Sequence, residues 1–152
     1  MDAEKSQQQA LLQDSLIQVV TRFRAAVEHV ISTSGAPRHI ERYPNACCGI
    51  ISELMGDYLN TLDMGEFEYI CSMKNGASHA WLEVSGLIVD ITGDQFPGRP
   101  PIYVDKPDAW YAEWEEDIRH LAAHERSAFF YREESQFLTK VLEHMSQQVA
   151  AG

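Results

Sequence analysis

The sequence contains few cationic side chains: 12 Lys and Arg stand against 23 Asp and Glu, for a formal net charge of −11 at pH 7. Nucleic-acid binding depends on clustered Lys and Arg that neutralise phosphates, so we expect no nucleic-acid partner. Long apolar runs are also missing. Since none approaches the roughly 20 residues that a helix needs to span a bilayer, we expect no membrane insertion.

Cysteine is scarce as well, with three residues at Cys47, Cys48 and Cys71. Two are adjacent, where a mutual bridge would be strained, and the count is odd, which excludes a disulfide framework. Free thiols indicate a reducing compartment. The first residues are polar and acidic and lack the apolar segment of a secretory signal. Together these features predict a cytoplasmic protein.

The 152 residues are enough for one domain with a buried core. No internal repeat, linker or low-complexity tract divides the chain. We therefore predict a single domain over 1–152, with its core at about 43–105 and helical flanks at 6–33 and 108–148.

Two helices are predicted before the core strands. Residues 6–33 carry apolar side chains at three- and four-residue steps, and Gly35 and Pro37 then stop the helix. A second apolar stripe predicts a helix over 47–62. Gly49 weakens its first turn, which indicates that another group approaches the backbone closely there.

Alternating apolar residues and turn signals predict strands next. They lie at 66–73, 77–84, 87–92 and, as an edge strand, 101–104. Asp108 could cap a third helix over 109–125, and 133–148 reads as a last helix. Because the strands are consecutive and helices flank them, the predicted class is α+β, with a small antiparallel sheet packed by helices.

The strand that contains His79 and the strand that contains Asp90 are predicted to form a hairpin. If Ser85-Gly86 is a two-residue turn, Trp81 faces Asp90, and His79 lies on the same face of the sheet. Asp90 sits within an apolar run, where a carboxylate is costly unless it is paired. His79 is the obvious partner, and the carboxylate would orient and charge its imidazole.

A cysteine at the start of the second helix could supply a nucleophile for this pair. A thiol attacks a carbonyl only as the thiolate, and both a helix N-terminus and a neighbouring imidazolium lower its pKa. Either Cys47 or Cys48 could occupy that position. Cysteine, histidine and aspartate in this order are the parts of a thiol-based acyl-transfer site.

These residues resemble a known family. The similar segments are Cys48-Gly49-x-x-Ser52-x-Leu54, Ser78-His79-Ala80-Trp81-Leu82-Glu83-Val84 and Val89-Asp90-Ile91-Thr92. They resemble the transglutaminase-like branch of the papain-like cysteine enzymes, and the match covers about residues 43–96. More narrowly, Tyr43–Gly49 and Asp90–Phe96 are similar to a group of small uncharacterised bacterial proteins of this branch. The chain is shorter than most transglutaminases and shows no calcium-site pattern.

The resemblance implies a papain-like fold in which a cysteine is the nucleophile, His79 the base and Asp90 the third member. We prefer Cys48 as the nucleophile because Gly49 follows it, and Cys47 is the alternative. The backbone N–H of Cys48 and a side chain such as Asn45 or Gln95 are candidate oxyanion donors.

Trp81 is a candidate wall of the cleft. The expected substrate is a protein, a peptide or a small amide, the acyl group could pass to water or to an amine, and no cofactor is expected.

Two other classes of function remain open. A binding or immunity-type module could keep this fold without turnover. Glu116, His120 and His124 recur every four residues on the predicted third helix and could form a metal face, although a solvated helix face is the favoured interpretation. For the aromatic run at 110–114, core packing is favoured over a substrate wall.

Overall fold

The structure, a computed structural model, describes residues 2–45, 47–122 and 132–151. Helices and strands in these ranges confirm the α+β class. They follow in the order α1 (Asp2–Ser34), α2 (Cys48–Leu59), β1 (Glu68–Lys74), β2 (Ala77–Val84), β3 (Leu87–Asp90), a 3-10 turn (Gly93–Gln95), β4 (Tyr103–Asp105), α3 (Ala109–Ala112), β5 (Glu115–Leu121) and α4 (Arg132–Ala151). No helix within the described ranges is long and apolar enough to cross a bilayer.

The strands form one antiparallel sheet in the order β4-β3-β2-β1-β5. The turn between β2 and β3 consists of Ser85 and Gly86, which have φ angles of 50° and 80°. Positive φ at both central residues is what a two-residue type I′ turn requires. Val84 pairs with Leu87, so the predicted register is confirmed. The 101–104 segment was also correctly placed at a sheet edge.

Side chains on the two faces of the sheet enter two separate apolar clusters, because successive residues of a strand point to opposite faces. The larger cluster joins one face to α1, α2 and α4 and includes Phe23, Ile51, Met55, Leu82, Val89 and Val141. The smaller cluster covers the other face and contains Ile70, Trp81, Ile88, Tyr111 and Trp114. His79 is on the same face as Trp81, next to the smaller cluster.

The predicted helix over 109–125 is wrong for most of its length. Asp108 does cap a helix, since its Oδ1 accepts the backbone N–H of Tyr111 at 3.1 Å, but that helix ends at Ala112. Residues 115–121 form β5, which pairs antiparallel with β1. Hydrogen bonds to the open edge of β1 replace those of a helix, so tertiary pairing overrides the local pattern. The strands are therefore not consecutive, and the 108–148 flank is not wholly helical.

Gly56 allows α2 to pack closely against the sheet. A Cβ on this residue would lie 2.4 Å from Cβ of Ala122 and 3.1 Å from Cδ2 of Leu82. In an exposed helix, replacing glycine with alanine stabilises by about 1 kcal/mol. At Gly56 the close contact reverses that expectation.

We predict that Gly56→Ala lowers the free energy of unfolding by about 1–3 kcal/mol because the helix must move away from the sheet. Urea denaturation followed by circular dichroism measures the change. Adding Ala122→Gly removes the opposing Cβ and should restore much of the loss. A Gly56→Ala protein more stable than the wild type would contradict this packing.

Candidate active site

His79 and Asp90 form a buried pair on one face of the sheet. Nε2 of His79 lies 2.7 Å from Oδ2 of Asp90, and their side chains are 0% and 1% exposed. The confirmed hairpin register brings them together, because Asp90 ends β3 diagonally across from His79. The expected hydrogen bond is therefore present, and it fixes which imidazole nitrogen faces the carboxylate.

The carboxylate of Asp90 accepts hydrogen bonds on both oxygens. Oδ1 accepts the backbone N–H of Thr92 at 2.9 Å and its hydroxyl at 3.3 Å. Oδ2 accepts the hydroxyl of Tyr111 at 2.7 Å in addition to His79. A buried carboxylate needs such donors, because without them its desolvation would cost several kcal/mol. Asp90 is therefore held in one orientation as an anion.

Cys48 is the first residue of α2, and the imidazole of His79 is the main group that lowers the pKa of its half-buried thiol. Nε2 of His79 faces Asp90, so the other ring nitrogen, Nδ1, lies on the side of the ring away from the carboxylate. The backbone N–H of Ala80 also stabilises the sulfur as a thiolate. The helix N-terminus adds a partial positive charge at the same place. The structure thus brings Cys48, His79 and Asp90 into one chain of contacts.

The charges of these three groups stabilise one another. Burial alone would raise the pKa of the Cys48 thiol, but the hydrogen bond and charge of His79 outweigh it and lower that pKa. Burial would likewise lower the pKa of His79, but hydrogen bonds to Asp90 and Cys48 raise it to about 9. The pKa of Asp90 is lowered by His79, Thr92 and Tyr111 despite its burial. The imidazole and the thiol therefore shift each other towards the charged pair, a thiolate beside an imidazolium.

The two adjacent cysteines have different surroundings. Cys47 precedes α2 as its N-cap residue, is 3% exposed and packs in the larger apolar cluster. Burial, and to a lesser extent the charge of Cys48, raises the pKa of the Cys47 thiol to about 12. Cys47 is therefore a neutral packing residue, and the geometry favours Cys48 as the reactive thiol.

Of the two candidate oxyanion side chains, Gln95 contacts His79, whereas the backbone of Asn45 bonds within its own turn. Nε2 of Gln95 is 3.3 Å from Nδ1 of His79 and donates to the backbone oxygen of Thr92 at 3.1 Å. Gln95 thus borders the side of His79 that faces the thiol. Asn45 is exposed in the turn before α2, where its backbone N–H bonds the oxygen of Arg42 at 2.8 Å.

Aromatic rings enclose the imidazole of His79. Trp81 is 5% exposed, and its ring centre lies 5.5 Å from that of His79. Phe96, Trp110 and Trp114 follow at 5.0, 5.9 and 5.8 Å. Trp81 and Trp114 belong to the smaller apolar cluster, in agreement with the packing role favoured for the 110–114 run. These rings exclude water from the pair and leave Phe96 and Trp110 half-buried at its rim.

Arg24 of α1 anchors the segment that follows Asp90. Its guanidinium forms a bidentate ion pair with Asp94, at 2.9 Å and 2.7 Å, and donates to the backbone oxygen of Ile91 at 2.9 Å. Tyr43 donates to the same oxygen of Ile91. Bidentate pairs of this kind fix geometry as well as charge. Through this contact α1 stabilises the turn that supplies Thr92 and Gln95.

Sequence reasoning missed the functional contact of Tyr111. It lies in the aromatic run assigned to packing, and no local pattern linked its hydroxyl to Asp90. By contrast, the inference from Gly49 was correct: the hydroxyl of Tyr69 lies 3.2 Å from where a Cβ on Gly49 would be.

The alternative metal face is not formed as predicted. Glu116 and His120 lie on β5 rather than on a helix, and Glu116 pairs with Arg119 at 2.7 Å. His124 lies outside the described residues. In the parts of the chain that the structure covers, no group of three or more His, Cys, Asp or Glu side chains could hold a metal ion.

Comparison of the chain with protein-family models, with curated proteins and with solved structures found no match.

The stability that Asp90 gives to charged His79 should depend on pH. A raised histidine pKa contributes stability that is fully present below the ordinary value of about 6.5 and lost as the pH rises through the folded value, here about 9. We compare Cys48→Ser with Cys48→Ser/Asp90→Asn, so that no thiol titrates at this position in either protein.

The free energies of unfolding, from urea titrations between pH 6 and 10, should differ by on the order of 3 kcal/mol near pH 6. The difference should shrink as the pH rises through the folded pKa of His79, which in Cys48→Ser lies below the wild-type value of about 9 because the contribution of Cys48 is lost. A difference that stays constant over this range would show that His79 is not charged by Asp90.

Proposed function

We propose that the protein is a cysteine-dependent acyl-transfer enzyme of transglutaminase-like, papain-like type, which acts on an amide or peptide bond. The observation that carries the proposal is the buried pair of His79 and Asp90, 2.7 Å apart, whose imidazole lowers the pKa of the Cys48 thiol at the start of α2. The proposed nucleophile, Cys48, begins α2. The proposed base, His79, lies on β2, and the proposed acid, Asp90, lies on β3, which pairs with β2. The order and the secondary-structure placement both agree with the resemblance in sequence.

In the first half of the proposed reaction, the thiolate sulfur of Cys48 attacks the carbonyl carbon and forms a C–S bond. The electron pair of the carbonyl moves onto its oxygen, where the backbone N–H at the start of α2 can donate to it. When the tetrahedral intermediate collapses, the C–N bond breaks. The imidazolium of His79 gives its proton to the leaving nitrogen, and a thioester on Cys48 remains.

In the second half, neutral His79 removes a proton from water or from an amine as that acceptor attacks the thioester. The thiolate then leaves, and the imidazolium–thiolate pair is restored. Asp90 stays ionised throughout and stabilises the charged imidazole in both halves. Hydrolysis, deamidation and transamidation share these steps and differ in the acceptor and in the nitrogen that leaves.

A non-catalytic binding or immunity-type module is the alternative. Such a module would have no need for a half-buried thiol paired with a charged imidazole, whereas a nucleophile requires both. Thiol reactivity therefore separates the two proposals without knowledge of the natural substrate.

We predict that iodoacetamide alkylates Cys48 at pH 6 at least tenfold faster than it alkylates a free cysteine, because the lowered pKa increases the thiolate fraction of Cys48. Mass spectrometry of peptides from briefly treated protein gives the rate at each cysteine. His79→Ala should remove the acceleration. Cys47→Ser, the matched control, should preserve it. A Cys48 no faster than a free thiol, with no effect of His79→Ala, would refute the enzymatic proposal.

We also predict that an activated ester acylates Cys48. With p-nitrophenyl acetate, a C–S bond forms, p-nitrophenolate leaves, and an acetyl thioester on Cys48 should be seen by intact-protein mass spectrometry. The Cys48→Ser protein should give no such adduct under the same conditions, and Cys47→Ser should behave as the wild type. Adding a primary amine then reports the acceptor: N-acetylated amine indicates transfer, and acetate alone indicates hydrolysis.

A further inference from the structure

Asp90 shares one oxygen between two donors. Nε2 of His79 and the hydroxyl of Tyr111 both lie 2.7 Å from Oδ2. Thiol, imidazole and carboxylate are sufficient for the proposed chemistry, so Tyr111 is an additional group at its buried end. Its hydroxyl is a strong constraint on the carboxylate, because charge-assisted hydrogen bonds are shorter and stronger than neutral ones.

Several contacts hold Tyr111 in place. Its backbone N–H binds the capping carboxylate of Asp108, and its side chain is 4% exposed in the smaller apolar cluster. Arg99 lies over the ring, with its guanidinium carbon 5.1 Å from the ring centre, and pairs with Asp108 at 2.9 Å. The ring therefore cannot turn its hydroxyl away from Asp90 without disturbing α3.

Space for this arrangement is provided by Gly93. A Cβ on that residue would lie 3.1 Å from Oδ2 of Asp90 and 3.6 Å from the hydroxyl of Tyr111. The turn after β3 thus passes close to the carboxylate on its remaining open side. The two donors and the backbone at Gly93 enclose Oδ2, which fixes the orientation of the Asp90 carboxylate relative to His79.

We propose that Tyr111 is a positioning residue for the acyl-transfer site. Its hydroxyl holds Asp90 in place against His79, and its hydrogen bond to Oδ2 weakens the attraction between the carboxylate and the imidazolium. This inference rests on the proposed function. An imidazolium held too strongly is a poor acid towards the leaving nitrogen, so a second donor on the carboxylate keeps His79 able to release its proton.

The titratable and charged groups that bear on His79 come from four elements. They are Cys48 on α2, Asp90 on β3, Tyr111 on α3 and, behind the ring of Tyr111, the Arg99–Asp108 pair. Burial and Asp90 raise the pKa of the Tyr111 phenol more than Arg99 lowers it. The phenol therefore remains a protonated hydrogen-bond donor over the pH range of the test. His79, with a pKa of about 9, changes charge within the pH range of the test.

The test compares Tyr111→Phe with Tyr103→Phe, both in otherwise unaltered protein. Tyr103 is a matched control because its ring packs 4.7 Å from that of Tyr111 and also lies beneath Arg99, while its hydroxyl donates to the backbone of Lys106 rather than to Asp90. Nuclear magnetic resonance of labelled imidazoles gives the pKa of His79. Alkylation of Cys48 from pH 5 to 10 gives the matching reactivity profile.

For Tyr111→Phe we expect the pKa of His79 to rise by about 0.5–1 unit, because one hydrogen bond no longer shares the charge of Asp90. The upper inflection of the alkylation profile should move with it. Tyr103→Phe should leave both at the wild-type value. With the acetyl ester, acylation should slow in Tyr111→Phe while alkylation at pH 6 remains fast.

An unchanged or lowered His79 pKa in Tyr111→Phe would overturn the positioning role. A second measurement on the wild type does not depend on any variant: the hydroxyl proton of Tyr111 should shift as His79 titrates, and a constant position would contradict the coupling. Failure of the proposed function is distinguishable, since wild-type Cys48 would then be no faster than a free thiol. If Cys48 of the wild type is alkylated fast but Tyr111→Phe leaves the pKa of His79 unchanged, only the positioning role of Tyr111 is refuted.

Discussion

The buried carboxylate of Asp90 is the constraint on which the site depends. An anion at this depth is tolerated only when donors surround it, and here they come from β2, from the turn after β3 and from α3. Each donor has its own support: Arg24 holds the turn, and Asp108 with Arg99 holds α3. Much of the structure outside the two apolar clusters can be understood as the support of one charge.

Adjacent cysteines show how strongly local geometry controls chemistry. Cys47 and Cys48 are adjacent in the sequence. The side chain of Cys47 nevertheless packs in the larger apolar cluster, whereas the thiol of Cys48 interacts with the imidazole of His79. Successive residues at a helix start differ by about 100° in direction, which suffices to shift the pKa values of the two thiols in opposite directions. The charge of His79 also offsets the cost of ionising the half-buried thiol of Cys48.

The sequence was informative where interactions are local. A two-residue turn fixed the register of β2 and β3, and period-two alternation then placed His79 and Asp90 on one face. The capping role of Asp108 was also readable, because a cap depends on three neighbouring residues. β5 and the contact of Tyr111 with Asp90 were not readable in this way. Both depend on pairing between segments far apart in the chain, and the capping signal of Asp108 led to a predicted helix that continued beyond the single turn it caps.

The position of β5 beside β1 has a consequence for assembly. β1, β2 and β3 can form as successive hairpins while the chain is short, but the outer edge of β1 is covered only when residues after α3 return to it. The step that brings β5 back carries Tyr111 with it, so the carboxylate acquires its last donor late. Closing such a long loop is slow compared with forming hairpins. During synthesis, the hairpin that holds the histidine and aspartate would thus precede the hydroxyl that fixes its carboxylate, and the site would reach its final geometry only in the nearly complete fold.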